Sequence, residues 1–479
     1  MKKLFFALFF LFFFISCEKV TSLFESEKTS TFLFLYTNDE HGHIYEKGGW
    51  YKGSALYEMW EEEEENCKGC EIFKISGGDN YTGTAISSFF NGESTAEIIS
   101  LIGYKISALG NHEFDFGTSS FEENRKISKL DYLSSNIISS DLKPAFKPSL
   151  IYPAVNGKIS FVASMTEELK QISFANYFKD LVVVKPASTV GRELKKNESL
   201  SDFQVLIVHE SADIAKEWIA TLPVKPLVVF GGHDHKQFME SDFGILFIQT
   251  EGYLKSYARV EVEKKGTTFR VVKAEIIPLK EKAHFSSETS MKIKNTVDSY
   301  LAKLDKKAGL KLITAAKNTD SKQFQKLYAC STLNAYPEHD VAMSNAGAFR
   351  DVLVSGVIKK SDIISILPFQ NRIVLSTIKG KDLVYNLNLS KECYCGAVKK
   401  GEEWFVRGEK VEKDKKYSAV IHEYIYQGGD YYKFIFEDSE NIITSRDWRD
   451  PLEKYLIESS AKGLKLEQAY KELMLKFNR

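Results

Sequence analysis

The residues able to do chemistry stand in five short polar runs: Asp39 with His41, Asp79, Asn111 with His112 and Asp115, His209, and His233 with His235. Any one of these histidines alone reads as a hydrogen-bonded loop residue. Together, a mixed set of carboxylate, carboxamide and imidazole donors suits Mn, Fe, Zn or Ni better than thiolate-seeking metals or Ca. Seven ligands, Asp39, His41, Asp79, Asn111, His209, His233 and His235, exceed one coordination sphere and match two ions that share a bridging carboxylate. Two ions about 3.5–4 Å apart clamp the attacking and leaving oxygens of an in-line displacement at phosphorus, and lower the pKa of the water between them. His112 is then left over to move a proton or stabilise charge. Asp115, three residues on, would fix its tautomer; the plainer reading of Asp115 is a cap on the following turn.

Each run follows a stretch with the apolar character of a buried strand: residues 32–36, 71–76, 105–109, 205–208 and 227–230. Helical patterns over 54–65 and 94–101 alternate with them, which implies a layered α/β domain. Open α/β sheets hold their ligand sites beyond the carboxyl ends of strands, so the five loops are expected to converge. The chain then divides into a domain over 31–283, a lysine-rich connector helix over 284–310 lying in solvent, and a second, smaller α/β domain over 311–479.

At the N-terminus Lys2 and Lys3 precede a Leu/Phe-rich run over 4–15, followed by Ser16 and Cys17. The run has the length of a signal-peptide core and is too short for an ordinary membrane span. Residues 14–17 resemble a bacterial lipobox, with Cys17 the lipidated residue, although Phe14 stands where Leu is preferred and ordinary secretion stays open. The expectation is an exported protein of the periplasm or cell surface, tethered through residues 18–30 to a bacterial membrane. Of the other cysteines, Cys67 and Cys70 read as a local disulfide or two free thiols. No second half-site accompanies them, since Cys393 and Cys395 have the wrong spacing for a zinc ribbon. Five remaining cysteines leave at least one unpaired in the chain or bridged elsewhere. A net charge of -1, from 64 Lys+Arg against 65 Asp+Glu, argues against a nucleic-acid polymer as partner.

The runs Thr37-Asn38-Asp39-Glu40-His41-Gly42, Gly77-Gly78-Asp79, Gly110-Asn111-His112-Glu113-Phe114-Asp115, His209 and Gly232-His233-Asp234-His235 resemble, in order, the five blocks of calcineurin-like metallophosphoesterases. Residues 345–350, 367–371 and 424–430 resemble the C-terminal domain of the 5'-nucleotidase family, which includes periplasmic UDP-sugar hydrolases and 2',3'-cyclic-nucleotide phosphodiesterases. The resemblance implies an N-terminal layered metallophosphoesterase β-sandwich flanked by helices and a C-terminal α/β substrate-binding domain. It implies two divalent ions (Mn, Zn or Fe), one on Asp39, His41, Asp79 and His235, the other on Asp79, Asn111, His209 and His233. His112 and Asp115 match a catalytic dyad. Asn345 and Arg350 match substrate contacts, Phe369 and Tyr424 a base sandwich, and Asp430 a sugar-hydroxyl contact; Asn371 belongs to the same pocket. A metal-bridging hydroxide would attack phosphorus of a nucleotide, with the second domain rotating to deliver it. A cyclic nucleotide, a UDP-sugar, or a surface lipoprotein reusing the fold as a binding module are the alternatives. Tyr424 replaces the usual Phe, Glu210 follows His209 in place of a small residue, residues 322–335 lack the usual Arg and Gly-Asn-Leu run, and Ala346 and Ala348 replace glycines. These departures bear on the substrate, not on the metal ligands.

Overall fold

The computed structural model describes residues 30–477 apart from 156, 174–179, 243, 436, 437, 439 and 440. The leader, Cys17 and nearly all of the 18–30 tether fall outside the described residues. Among those described, no helix is long and apolar enough to cross a membrane.

Two six-stranded sheets face each other in the first domain. One runs Thr268–Pro278, Ser256–Lys265, Ser30–Thr37, Glu71–Ser76, Ile106–Ala108, Asp131–Leu133; the other Phe238–Asp242, Ile245–Gln249, Val228–Gly232, Phe203–His209, Gly157–Met165, Ser149–Ala154. Strand Ser30–Thr37 explains why the run looked uniformly apolar. Phe32, Phe34 and Tyr36 point into the core between the sheets with Phe161, Phe203 and Phe230, while Leu33 and Leu35 point outward to a second core under the helices, with Trp60 and Ile98. A strand buried on both faces carries no polar alternation. Each such fully buried side chain contributes roughly 1.5–3 kcal/mol.

Register fixes where the loops start. Thr37 pairs in parallel with Ser76 and Ser76 with Ser107, so three strands end level; in the facing sheet His209 pairs with Gly232 and with Met165. All five polar runs therefore leave the sandwich at one edge.

The connector behaves differently from its sequence reading. Helix Glu288–Ala308 is not a solvated spacer: Ile293, Val297, Tyr300, Leu304 and Ala308 form one buried stripe in the first domain's helical core. Their spacing of three and four residues draws a narrow apolar line, and the lysines that dominate the composition cover the other faces. Its start is fixed by Ser287, whose side chain accepts from Ser290 N at 3.1 Å.

The second domain is a five-stranded sheet in the order Tyr394–Cys395, Val341–Met343, Lys416–His422, Arg372–Lys379, Ile442–Asp447. Helices Ser321–Ala335, Lys360–Ile366, Asp450–Ala461 and Leu466–Phe477 share one core with it, and helix Gly380–Leu389 lies in the core of the other face. A disulfide from Cys330 to Cys395 ties a helix to the edge strand, Cys67 and Cys70 close a local loop, and Cys393 remains a buried free thiol.

Candidate metal centre and adjoining cavity

The ligand loops are held in a backbone conformation that side chains rarely adopt. Asp39, His41, Asp79, His233 and His235 all have positive φ, between 46° and 91°. Such residues persist only where the surroundings over-determine them. Here the loops brace one another: Asp39 N donates to Gly78 O at 3.0 Å, His41 N to Asp79 O at 2.9 Å, and Gly42 N to Asn80 O at 2.9 Å. The Asp39 carboxylate accepts from Asn38 Nδ2 at 2.6 Å and from His233 N at 2.9 Å, joining the first loop to the last. Buried Glu113 accepts from Asp79 N (3.0 Å), Asn80 N (2.7 Å) and Gly110 N (2.6 Å), joining the second to the third. Gly110 is required by contact, since a Cβ there would sit 2.0 Å from Asp79 Oδ1.

The donor atoms then converge. Asp79 Oδ2 lies 3.2 Å from His209 Nε2 and 3.7 Å from His41 Nε2; His41 Nε2 is 3.2 Å from His235 Nε2, and His235 Nε2 3.5 Å from Asp39 Oδ1. His233 Nδ1 is 3.1 Å from Asn111 Oδ1. Two groups, Asp39–His41–His235 and Asp79–His209–His233, each bring their ligand atoms within 4.8 Å of one another. Backbone carbonyls set the tautomers: His41 Nδ1 donates to Thr82 O at 2.6 Å and His209 Nδ1 to Gly77 O at 2.8 Å. Each Nε2 lone pair is thereby turned inward, the second-sphere arrangement that orients metal-ligating imidazoles. His209 Nε2 is buried and has no hydrogen-bond partner.

Facing lone pairs repel unless a cation lies between them, and the titration of the site reflects this. Burial pushes His209 down, but the Asp79 carboxylate and the Gly77 carbonyl outweigh it and lift the imidazole to about 10. Burial alone would raise Asp79; His209, His112 and His41 hold it well below the usual carboxylate range. Burial, then the positive charge on His209, lowers His233 to about 3. Each group brings one carboxylate, Asp39 or Asp79, together with two imidazoles, a donor set that fits a divalent cation.

His112 stands just outside the ligand groups. Its backbone N donates to Asp79 Oδ1 at 2.8 Å, and its Nδ1 lies 2.7 Å from Asp115 Oδ2. Arg350 Nη2, always a donor, hydrogen-bonds to His112 Nε2, so Nδ1 carries the proton and gives it to Asp115. That Arg350 comes from the second domain makes His112 the meeting point of the two halves. A cavity of about 230 Å³ opens there. Asp79, Asn111, His112, His233 and His235 line one wall; Asn345, Arg350, Phe369, Asn371, Tyr424 and Asp430 line the other.

On the second wall Asp430 accepts from Tyr424 Oη and from Asn345 Nδ2, each at 2.7 Å, and Asn371 Oδ1 accepts from Tyr424 N at 3.0 Å. Gly429 lies against the Tyr424 ring, where a Cβ would come within 2.5 Å. Phe369 packs 5.7 Å from the His112 ring with the Arg350 guanidinium 5.3 Å above it. Every candidate site residue named from sequence except Cys17 thus lies in a ligand group or on the cavity wall. Sequence reading missed Asn38, Glu113 and His422. Glu113 and Asn38 stand inside the runs that were noticed, and their roles are to hold backbone N–H groups and a ligand. His422 lines the cavity from the end of a strand with no run around it to mark it.

The comparisons with known proteins follow the same outline. The family model "5'-nucleotidase, C-terminal domain" matches residues 301–397. Protein UshA of Salmonella pullorum is 24% identical over 488 residues, covering 85% of this chain and 88% of that protein. A 5'-nucleotidase of Vibrio cholerae is 24% identical over 505 residues, covering 90% and 91%. The crystal structure of a 5'-nucleotidase precursor from Thermus thermophilus superposes with a TM-score of 0.75 at 17% identity, covering 89% of this chain and 96% of that one. The resemblance to the 5'-nucleotidase family, read from residues 345–350, 367–371 and 424–430 together with the polar runs, is borne out along nearly the whole chain, and the two-domain fold is shared.

Proposed function

We propose that this protein is a metal-dependent phosphoester hydrolase of the 5'-nucleotidase type that removes phosphate from nucleotides. The observation that carries the reading is the cavity at His112, with converging ligand groups on one wall and an arginine, two aromatic rings and a carboxylate on the other. Two divalent cations, Mn, Zn or Fe, held by Asp39, His41, Asp79 and His235 and by Asp79, Asn111, His209 and His233, would supply Lewis acidity and an activated water at phosphorus.

The chain's own groups account for the remainder. Asp115 holds the Nδ1–H of His112 and stabilises the imidazolium formed when Nε2 takes up the proton released by the attacking water, which His112 then gives to the leaving oxygen. Arg350, within reach of the same Nε2, faces the negative phosphoryl group as it arrives. Phe369 and Tyr424 offer ring faces to a base, a contact tolerant of base identity. Asp430, oriented by Asn345, accepts from sugar hydroxyls.

Export by the 1–17 segment, with lipid on Cys17, belongs to this reading and places the activity in the periplasm or on the cell surface. The activity is tested by phosphate release from 5'-nucleotides, UDP-sugars and 2',3'-cyclic nucleotides with added Mn. The expected result is turnover highest on 5'-nucleotides and lost on chelation. A cyclic nucleotide or UDP-sugar as the preferred substrate would reassign the pocket, and no turnover of any phosphoester would overturn the enzymatic reading in favour of a binding module.

A further inference from the structure

His422 is a fully buried histidine that belongs neither to the ligand groups nor to the dyad. It closes strand Lys416–His422 and lines the cavity behind Tyr424, with its ring within 4° of parallel to the tyrosine ring at 6.3 Å and 4.8 Å from Trp448. Its Nε2 lies 3.1 Å from Asn345 Oδ1 and 2.9 Å from Ser344 Oγ. Its Nδ1 is buried without a hydrogen-bond partner.

The direction of each bond in this chain follows from Asp430. The carboxylate accepts, so Asn345 presents its Nδ2 to it and must turn its Oδ1 toward His422. An amide oxygen accepts only, so the proton of His422 sits on Nε2. Burial lowers the imidazole to about 3, which leaves it neutral with that single N–H. A ring flip would replace Nε2 by carbon and forfeit both bonds. His422 thereby holds Asn345 in the orientation that Asp430 requires, and Asn345 with Tyr424 holds both oxygens of Asp430 in place.

We propose that His422 is a positioning residue of the substrate pocket: by donating Nε2–H to Asn345 it fixes the Asp430 carboxylate to read vicinal hydroxyls, and so makes the pocket select a ribose-bearing leaving group. The inference rests on the nucleotide reading above and names what that pocket discriminates. Aromatic stacking from Phe369 and Tyr424 would hold a base with or without sugar hydroxyls; a fixed, partly satisfied carboxylate is what a hydroxyl-lacking analogue leaves unmatched.

The test compares KM and kcat of the wild type, His422→Phe, His422→Asn and His422→Gln on three substrates: a 5'-ribonucleotide, its 2',3'-dideoxy counterpart and p-nitrophenyl phosphate. In the wild type the ribonucleotide is preferred. His422→Phe raises its KM about 10- to 100-fold with kcat little changed, and ribose preference collapses. On p-nitrophenyl phosphate, which has no sugar hydroxyls, the change is much smaller than on the ribonucleotide, and bound metal is retained. His422→Gln, which can still donate to Asn345, recovers most of the preference. Should His422→Phe not fold, His422→Asn, polar but too short to reach, carries the same expectation. Unchanged ribose preference in the loss variants, or an equal fall on all three substrates, overturns the role of His422 alone. A wild type that cleaves p-nitrophenyl phosphate and no nucleotide overturns the nucleotide reading instead, and this inference with it.

Discussion

The two walls of the cavity are built by opposite means. On the first, five of the seven candidate ligands sit in left-handed backbone and their donor atoms converge on one another. On the second, the strain is limited to Asp430 and its neighbour Tyr431, and the polar groups form a chain in which each donor meets an acceptor. On the proposed function the first wall would gain stability from the cations its donor groups could hold. The second joins Asp430, Asn345, Tyr424 and His422 in one run of hydrogen bonds, and gains selectivity from their direction. Strain is tolerated where binding energy is large, and orderly polar networks are used where small differences between ligands must be told apart.

The sharpest way to break this contrast is at Asp79, whose Oδ2 faces both ligand groups. Asp79→Asn should lower kcat/KM about 10³-fold or more and reduce tightly bound metal, measured by elemental analysis after dialysis. Full metal content in that variant would mean the groups are not coupled through Asp79. At His112, where the walls meet, His112→Ala should lower kcat by about 10²- to 10⁴-fold while metal content holds, and Asp115→Asn should cost about tenfold through the lost tautomer. Metal loss in His112→Ala would move that residue into the ligand set.

Glu113→Gln probes the bracing of the first wall without replacing a candidate ligand side chain. An amide turned toward the N–H groups of Asp79, Asn80 and Gly110 should destabilise the metal-free protein by about 2–3 kcal/mol in denaturant unfolding, and Mn should restore part of it. The smallest effect concerns the second wall and pH. His422 is held down to about 3 when folded and returns to about 6.5 when unfolded, so the unfolded chain takes up its proton first on acidification. Its contribution is fully present above pH 6.5 and should fall by about 2 kcal/mol from pH 7 to 5, a slope missing from His422→Gln.

Much of the first wall was legible because its ligands are chemically rare types in short runs, each after a strand too apolar to be anything else. The runs carry their own register: once Thr37 pairs with Ser76, the loops must meet. The connector was misread because composition reports the lysines on its outer faces and hides the single stripe from Ile293 to Ala308. Glu113 was seen and given no role, since its partners are backbone N–H groups that no sequence displays. His422 gave no signal because its partner Asn345 is 77 residues away and the meaning of the contact depends on which way an amide faces. The change to Tyr424 was visible; that its hydroxyl goes to Asp430 was not.

The buried stripe on helix Glu288–Ala308 also decides where the molecule can bend. A helix fused to the first domain's core cannot be the flexing arm, so any swing of the second domain pivots past its end, between Ala308 and strand Lys311–Ala315. Gly309 sits at that point with no room for a side chain, a Cβ there falling 2.2 Å from Asp305 O, and the ion pair from Lys359 to Asp305 at 2.6 Å spans it. In such a swing the helix would be the fixed post, with a glycine and a strand edge as the pivot.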